Sequence, residues 1–307
     1  MNNDQSQRQI IYGLTADAHF LHLLHQPQLT GCIKQVFNKA INFSVNHQLY
    51  TLLSSQIDNA PNSCRLINKD FLSYKINVGD SVFILNNEIH IGENYAISFL
   101  LCTTWKPSTI YFVAEKINDK DYLFFLESKF NEIDSILNKR THSLFNYQGN
   151  NLFYLESSKK LNELRFSLIN ALMNKQSSEV ANIVSQFIGL GIGLTPSGDD
   201  YLVGLMAFLL LKNHPANSFY ISFYQGILHS KGNTTPISAI TLEKALDQGY
   251  RENMHQLIQC LVDGRNENIY PKILEILNIG SSSGCDMLFG IRDALFLTHY
   301  FGETHVD

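Results

Sequence analysis

Two short segments combine glycines, hydroxyl side chains and carboxylates in a way that suits ligand binding. The first, GLGIGLTPSGDD, runs from Gly189 to Asp200, and the second, GSSSGCDMLFG, runs from Gly280 to Gly290. Both contain the pattern S-G-x-D-x-L-x-G. The aligned pairs are Ser197 and Ser283, Gly198 and Gly284, Asp200 and Asp286, Leu202 and Leu288, and Gly204 and Gly290. The repeat predicts two SGxD turns facing one cleft, with their helices crossing closely at the last glycine pair; the alternative is a duplication kept only for packing.

The first segment has the residue types of a helix start that binds an anion. Thr195 followed by Pro196 is typical of an N-cap and first helical position, where several backbone N–H groups lack intrahelical partners. Gly191 and Gly193 carry no side chains and would let backbone amides approach a phosphate or carboxylate. The hydroxyls of Thr195 and Ser197 add further donors. This part of the chain therefore predicts a site for a small anion.

The two aspartates of the first turn have two interpretations. Carboxylates there complement the helix dipole and would repel a second anion, so Asp199 and Asp200 could serve only in capping. The functional alternative is that one of them accepts hydrogen bonds from an amide or amine of the ligand. A ligand held in both ways carries an anionic end and an amide. The candidate catalytic residues are Asp199, Asp200 and Ser197, and the candidate substrate-binding residues are Gly191, Gly193, Thr195, Gly198, Thr235, Ser238, Ser283, Gly284, Asp286 and Asn42.

Three of these candidates, Thr235, Ser238 and Asn42, lie outside the two segments. GNTTPISAITLEKA, from Gly232 to Ala245, is another Thr-Pro helix start with hydroxyls at Thr234, Thr235 and Ser238. It could form a third wall of the pocket or be an ordinary cap. Asn42, in the segment AINFSV, could project from a strand toward a cleft.

Several other kinds of site are disfavoured. A dinucleotide fingerprint needs a strand before its glycines, and here a helical stripe that includes Val180, Val184 and Phe187 precedes Gly189. A Walker phosphate loop needs a lysine, which this loop lacks. No Ser-His-Asp order or nucleophile elbow is evident, and the five cysteines contain no CxxC, so neither a serine hydrolase, a zinc site nor a disulfide framework is indicated. We expect no metal, no cofactor and reduced thiols.

Composition bounds the class of protein. The chain has 307 residues, 45% of them hydrophobic, with a formal charge of -5 and no basic cluster, which disfavours a nucleic-acid partner. Its longest apolar run, YLVGLMAFLLL, is shorter than the roughly 20 residues that span a bilayer. The N-terminal segment MNNDQSQRQI is polar, without the features of a secretory leader. We therefore expect a cytoplasmic globular protein that acts on small molecules without a membrane partner.

The elements that must position these residues fall into two halves. Residues 39–113 contain short runs rich in Ile, Val, Tyr and Phe separated by turn residues, which predict a small antiparallel β sheet or barrel. Leu126, Phe130, Ile133 and Leu137 have the spacing of one helix face and predict a connecting helix. Helical segments follow one another after Tyr147. The predicted fold is α+β: a mainly β N-terminal domain over residues 1–150, including the connecting helix, and an α-helical domain over residues 151–307 that carries both SGxD turns.

The motifs GxGxGLTPSGDDYLVG, TTPIS and SSSGCDMLFG, together with AINFSV and VGDSVFI, resemble the AllH-like family. The family's namesake belongs, with FdrA-like and AllG-like proteins, to the oxamate carbamoyltransferase of anaerobic allantoin breakdown, which interconverts oxalurate and phosphate with oxamate and carbamoyl phosphate. The resemblance implies a carbamoyltransferase subunit with FdrA-like and AllG-like partners, or a relative acting on a similar carbamoylated metabolite. The competing hypothesis is a noncatalytic scaffold or small-anion-binding subunit.

Overall fold

The computed structural model describes residues 8–26, 28–141, 143–267 and 269–304. The expectation of no secretory leader rests largely on the first seven residues, which lie outside the described part of the chain. The chain forms two compact units, Met1–Ser108 and Thr109–Asp307. This division lies before the predicted boundary between residues 150 and 151, because the helix expected to connect the halves packs into the helical core through Leu126, Ile133 and Leu137.

The first unit is a small β barrel with one helix. Its elements are β1 (Gln9–Asp17), α1 (Ala18–Leu24), β2 (Leu29–Val36), β3 (Ala40–Val45), β4 (Gln48–Leu53), β5 (Ser63–Leu66), β6 (Ser81–Leu85), β7 (Glu88–Ile91), β8 (Tyr95–Ser98) and β9 (Thr103–Trp105). Neighbouring strands follow the order β5-β4-β3-β2-β6-β7-β8-β1, and pairing of β1 with β5 closes the sheet. Strand β9 pairs with the second half of β1. The predicted barrel is confirmed.

Strand direction differs in part from the prediction. Most pairs are antiparallel, but β1 is parallel to β8 and β9, and β4 is parallel to β5. The amino-acid composition of a segment indicates that it suits a pleated, half-buried strand. It does not determine whether the neighbouring strand is parallel or antiparallel.

Alternating side chains fill the barrel. In β6, Val82 and Ile84 are buried between exposed neighbours, the two-residue period of a strand with one face toward a core. Helix α1 adds Phe20, which is fully buried with its ring 6.1 Å from that of Phe43 and 5.9 Å from that of Tyr50. The unit therefore has its own aromatic core.

The second unit is helical. Its helices are α2 (Lys120–Leu137), α3 (Leu152–Met173), α4 (Ser177–Phe187), α5 (Ser197–Leu209), α6 (Tyr220–Ser230), α7 (Pro236–Leu246), α8 (Glu252–Asp263), α9 (Ile269–Leu277) and α10 (Ser283–Glu303). The predicted succession of helices is confirmed, with ends shifted by a few residues. Every residue of α5 is buried. In the described residues, none of the helices has the length and apolar character needed to cross a membrane.

Helices α5 and α10 touch through their backbones. A Cβ atom built on Gly204 would lie 1.9 Å from the carbonyl oxygen of Met287, and one built on Gly290 would lie 2.1 Å from that of Tyr201. No side chain fits at either position, so both glycines are required by the close approach. The crossing predicted from the repeat is confirmed, and it holds the first turns of the two helices side by side.

A buried charge cluster surrounds this crossing. Asp293 accepts hydrogen bonds from Arg165 Nε at 2.5 Å, from Arg292 Nη2 at 3.0 Å and from the Tyr201 hydroxyl at 2.9 Å. Arg292 Nη1 also bonds to Asp134 at 2.6 Å. The cluster joins α2, α3, α5 and α10. Since loss of one partner would leave a buried charge uncompensated, it restricts these four helices to one arrangement.

Replacing Gly290 with alanine tests the crossing. We expect Gly290→Ala to lower the free energy of unfolding by about 3 kcal/mol or more, because the new methyl group overlaps the backbone of α5. Denaturant titration measures the change. Gly232→Ala is the matched control, since a Cβ there would meet nothing within 4 Å, and it should change stability by less than about 0.5 kcal/mol. Equal effects of the two substitutions would contradict the packing account.

Candidate functional site

The loop between α4 and α5 is shaped by its glycines. Gly189, Gly191 and Gly193 have φ angles of 78°, 130° and 87°, values that side chains disfavour. A Cβ on Gly191 would also lie 2.5 Å from the backbone nitrogen of Ser197. Gly193, by contrast, has open space around it. The loop thus folds tightly over the start of α5 and leaves Gly193 exposed.

The predicted N-cap of α5 is wrong by one residue. The helix begins at Ser197, and Pro196 occupies the cap position, where its carbonyl accepts the N–H groups of Asp199 at 3.0 Å and Asp200 at 3.1 Å. The extended backbone of Pro196, with ψ 145°, moves Thr195 out of the helix. The Thr195 hydroxyl lies instead 2.8 Å from the Ser283 hydroxyl at the start of α10.

In each SGxD turn, the glycine contacts the backbone of the segment that precedes the turn. Gly198 N–H donates to the Leu190 carbonyl at 2.8 Å, and Gly284 N–H donates to the Ile279 carbonyl at 3.0 Å. A Cβ on Gly198 would lie 2.3 Å from a backbone oxygen, and one on Gly284 would lie 1.9 Å from another. These two amides, predicted to bind ligand, are therefore used within the chain. Both turns use the same device, in which the preceding segment folds back onto the helix start.

Asp199 connects the glycine loop to α7. Its carboxylate accepts hydrogen bonds from the Gly189 N–H at 2.9 Å, from the Ser238 hydroxyl at 2.6 Å and from the Thr234 hydroxyl. Burial raises the pKa of Asp199, and these three donors oppose the rise. Thr235 caps α7 by accepting the Ser238 N–H and donates its hydroxyl to the Leu194 carbonyl at 2.5 Å. The predicted third wall thus holds Asp199 and the loop in place.

Polar side chains of the two SGxD turns lie against each other. Against the rise caused by burial, the hydroxyl of Ser197 in the first turn lowers the pKa of Asp286 in the second, and the hydroxyl of Ser283 in the second turn lowers the pKa of Asp200 in the first. The Thr195 hydroxyl, 2.8 Å from that of Ser283, acts on the pKa of Asp200 in the same direction. The serine of each turn therefore lies beside the aspartate of the other turn, which explains why both residue types occur in both turns. Because the turns meet directly, the cleft expected between them is closed.

Asp200 and Asp286 form a buried carboxyl pair. Both are almost fully inaccessible, and the Oδ2 atom of each is buried with no hydrogen-bond partner in the described part of the chain. Asp286 Oδ1 accepts the Ser143 hydroxyl at 2.5 Å. Sequence reasoning missed Ser143, which donates to Asp286, and Ser282, whose hydroxyl lowers the pKa of Asp286 against the effect of burial. Ser143 belongs to no motif that could have indicated this contact, whereas Ser282 lies in the second segment just before its S-G-x-D pattern.

Burial controls the protonation of this pair. It raises the pKa of Asp286 to about 7, against the opposing hydrogen bonds of Ser143, Ser197 and Ser282. Burial also raises the pKa of Asp200 well above its ordinary range, and the negative charge of Asp286 adds to the rise. A charge on one carboxyl disfavours a charge on the other, so the pair retains a proton near neutral pH.

The structure brings together only part of the predicted site. Thr195, Ser197, Asp200, Ser283 and Asp286 meet at the junction of the turns. The predicted Asn42 belongs to the barrel, where its amide donates to Gln35 and accepts the Thr51 hydroxyl, both at 2.8 Å. Among the described residues no group of three or more His, Cys, Asp or Glu side chains could hold a metal ion.

Comparison with known families covers both units. Residues 12–104 match the AllH family N-terminal domain, and residues 187–295 match the family described as oxamate carbamoyltransferase subunit AllH. The chain belongs to the AllH family. The second match includes both SGxD turns, whereas Ser143 lies outside the matched ranges. AllH is described as a subunit, which implies partner chains. No solved structure matched the chain.

The raised pKa of Asp286 predicts a pH dependence of stability. Between the ordinary value of 3.8 and about 7 the folded chain binds more protons than the unfolded chain, so the free energy of unfolding falls as pH rises through this window. Asp200 is shifted in the same direction and adds to the fall. We expect Asp286→Asn to reduce this slope, gaining up to about 4 kcal/mol relative to wild type between about pH 4 and about pH 8.

Denaturant titrations across this pH range measure the effect. Asp121→Asn is the control, because Asp121 is an exposed carboxylate on α2, and it should keep the wild-type slope. If Asp286→Asn also kept that slope, the account of a buried, protonated Asp286 would be refuted.

Proposed function

We propose that this chain is a subunit of a carbamoyltransferase of the oxamate carbamoyltransferase type, and that the junction of the two SGxD turns is its substrate site. The observation that carries the proposal is the convergence of the Thr195 and Ser283 hydroxyls on the buried pair Asp200 and Asp286. Membership of the AllH family supports the reaction type. FdrA-like and AllG-like chains are the proposed partners.

The site suits a small molecule with an anionic end and an amide. Carbamoyl phosphate, oxamate and oxalurate all have both features. Separation of Thr195 from Ser283 would release two hydroxyl donors for the ligand and open a path to Asp200. A carboxyl that keeps its proton does not repel an incoming carboxylate or phosphate, which removes the conflict raised by aspartates at an anion site. Exposed Gly193 leaves open space on the loop side of the site.

The reaction needs a proton at one atom. When a phosphate oxygen attacks the carbamoyl carbon of oxalurate, the bond from that carbon to the oxamate nitrogen breaks. The nitrogen keeps the electron pair and must gain a proton to leave as oxamate. A carboxyl whose pKa is raised by burial, so that it keeps its proton more readily than an exposed carboxyl, is suited to supply this proton and to take it back in the reverse direction. Asp200 would exchange the proton through the Ser283 and Thr195 hydroxyls, with Asp286 as its buried neighbour.

The second candidate is a noncatalytic scaffold or small-anion-binding subunit. It is favoured by the closure of the site, since both unpartnered carboxyl oxygens are buried, and by the use of Asp199 to hold the loop. A pure scaffold would bind none of the three metabolites. An anion-binding subunit would bind them without needing an ionisable group at position 200.

Replacing Ser283 with alanine tests ligand binding. We expect the full-length chain to bind oxamate or carbamoyl phosphate in titration calorimetry, and Ser283→Ala to weaken the affinity by about tenfold through loss of a hydroxyl donor. Ser281→Ala is the matched control, because Ser281 is an exposed serine of the same turn, and should bind like wild type. Absence of specific heat with either compound would support the scaffold.

Replacing Asp200 with asparagine tests proton transfer. Asparagine has nearly the same shape but cannot exchange a proton, so we expect the rate of carbamoyl transfer by the assembled enzyme to fall by about 10²-fold or more. Binding of oxamate should change much less than the rate. Wild-type turnover by Asp200→Asn would leave the turns as a binding site only, with the catalytic groups on a partner chain.

A further inference from the structure

Two cysteines meet inside the barrel unit across a glycine of β1. Cys64 belongs to β5, which pairs with one edge of β1, and Cys102 directly precedes β9, which pairs with the other edge. Gly13 has no side chain to separate them. A Cβ built on Gly13 would lie 3.2 Å from the Cys102 sulfur and 3.3 Å from the Cys64 sulfur. The two thiols thus share the space that any other residue at position 13 would fill.

The two thiols differ in access to solvent. Cys64 is fully buried, whereas Cys102 is partly exposed. Cys102 closes a surface turn in which its N–H donates to the Phe99 carbonyl at 3.0 Å, and the intervening Leu100 and Leu101 are 86% and 71% exposed. A reagent in solution therefore reaches Cys102 first. An adjustment that brings the sulfurs to bonding distance can occur in this turn without displacing β5.

The contact between the two thiols also shifts their pKa values in opposite directions. A hydrogen bond with Cys64 lowers the pKa of Cys102, while the pKa of Cys64 is raised by the same hydrogen bond and by burial. The thiolate is the nucleophile in disulfide exchange. The more accessible sulfur is therefore also the one that ionises more readily, and the buried sulfur keeps its proton.

We propose that Cys102 and Cys64 are a redox-active dithiol, in which Cys102 reacts with a low-molecular-weight disulfide and Cys64 resolves the product into an intramolecular disulfide over Gly13. This assigns a modification site to the barrel, apart from the proposed function of the SGxD turns. Both cysteines are free thiols in the structure, which is the reduced state of such a pair.

The exchange proceeds in two balanced steps with glutathione disulfide as the oxidant. The Cys102 thiolate attacks one sulfur of glutathione disulfide, forms a mixed disulfide and releases one glutathione thiolate, which takes up a proton. Cys64 then loses its proton and attacks the Cys102 sulfur, releasing the second glutathione. Two protein thiols are oxidised to one disulfide, and one glutathione disulfide is reduced to two thiols.

Mass spectrometry of the reduced, full-length chain after exposure to glutathione disulfide tests the proposal. We expect the intact mass to fall by two hydrogen atoms, and a non-reducing digest to contain the Cys64 and Cys102 peptides joined. The other cysteines should stay unmodified or react more slowly. If Cys32 were modified as fast as Cys102 and no joined peptide formed, oxidation would depend on solvent exposure alone. This result would overturn the proposal.

Three variants separate the roles of the two thiols. In Cys64→Ser the reaction should stop at the mixed disulfide, with one glutathione retained on Cys102. In Cys102→Ser the buried Cys64 should remain a thiol, and Cys32→Ser should oxidise like wild type. Formation of a Cys102 disulfide with a cysteine other than Cys64 in the wild-type chain would contradict the assignment.

Gly13→Ala provides a test that keeps both thiols. Its methyl group would lie within 3.3 Å of both sulfurs and crowd them, so the variant should lose the joined peptide while Cys102 still accepts glutathione. A thermal unfolding scan of the reduced variant verifies that the barrel remains folded. If folded Gly13→Ala formed the disulfide as fast as wild type, contact over Gly13 would not be its basis.

Discussion

The backbone contact between α5 and α10 is the constraint on which the helical unit depends. Two glycines, Gly204 and Gly290, allow the helices to approach until carbonyl groups of each lie where the other would place a side chain. Because the approach is so close, the first turns of both helices are brought to one point. The repeated serine of each turn then lies beside the repeated aspartate of the other, where its hydroxyl opposes the rise in pKa that burial causes.

This arrangement explains how carboxyl groups can be tolerated in a core. Asp200 and Asp286 lie in the first turns of their helices, where the positive ends of the helix dipoles and the surrounding hydroxyls favour negative charge. Burial acts in the opposite direction and is the larger influence on both pKa values. The charged cluster around Asp293 lies farther along α10 and is fully paired with arginines, so the same helix contains a neutralised charge and a retained proton.

Sequence reasoning located the helices of the second unit, the strand region after residue 39 and the junction, because each depends on local spacing or on an internal repeat. It missed β1 and β2, which precede the predicted strand region. It misassigned the cap of α5, since an extended Pro196 moves Thr195 away from the helix, and it missed Ser143, which reaches Asp286 only through tertiary packing. The place of α2 in the helical core and the parallel partners of β1 also depend on contacts between distant segments. Periodicity carries no information about such contacts.

The order in which the chain is synthesised determines when the junction of the two SGxD turns can form. Thr195 and Ser283 are separated by 88 positions, with five helices and several turns between them. A contact of this range has a large loop-closure entropy and forms late in folding. On the ribosome, the face of α5 that contacts α10 has no native cover until α10 is made, whereas the barrel can already close around its own core. The nascent chain thus passes through a stage in which the barrel is complete while the α10-facing side of a fully buried helix is still open to a chaperone or a partner subunit.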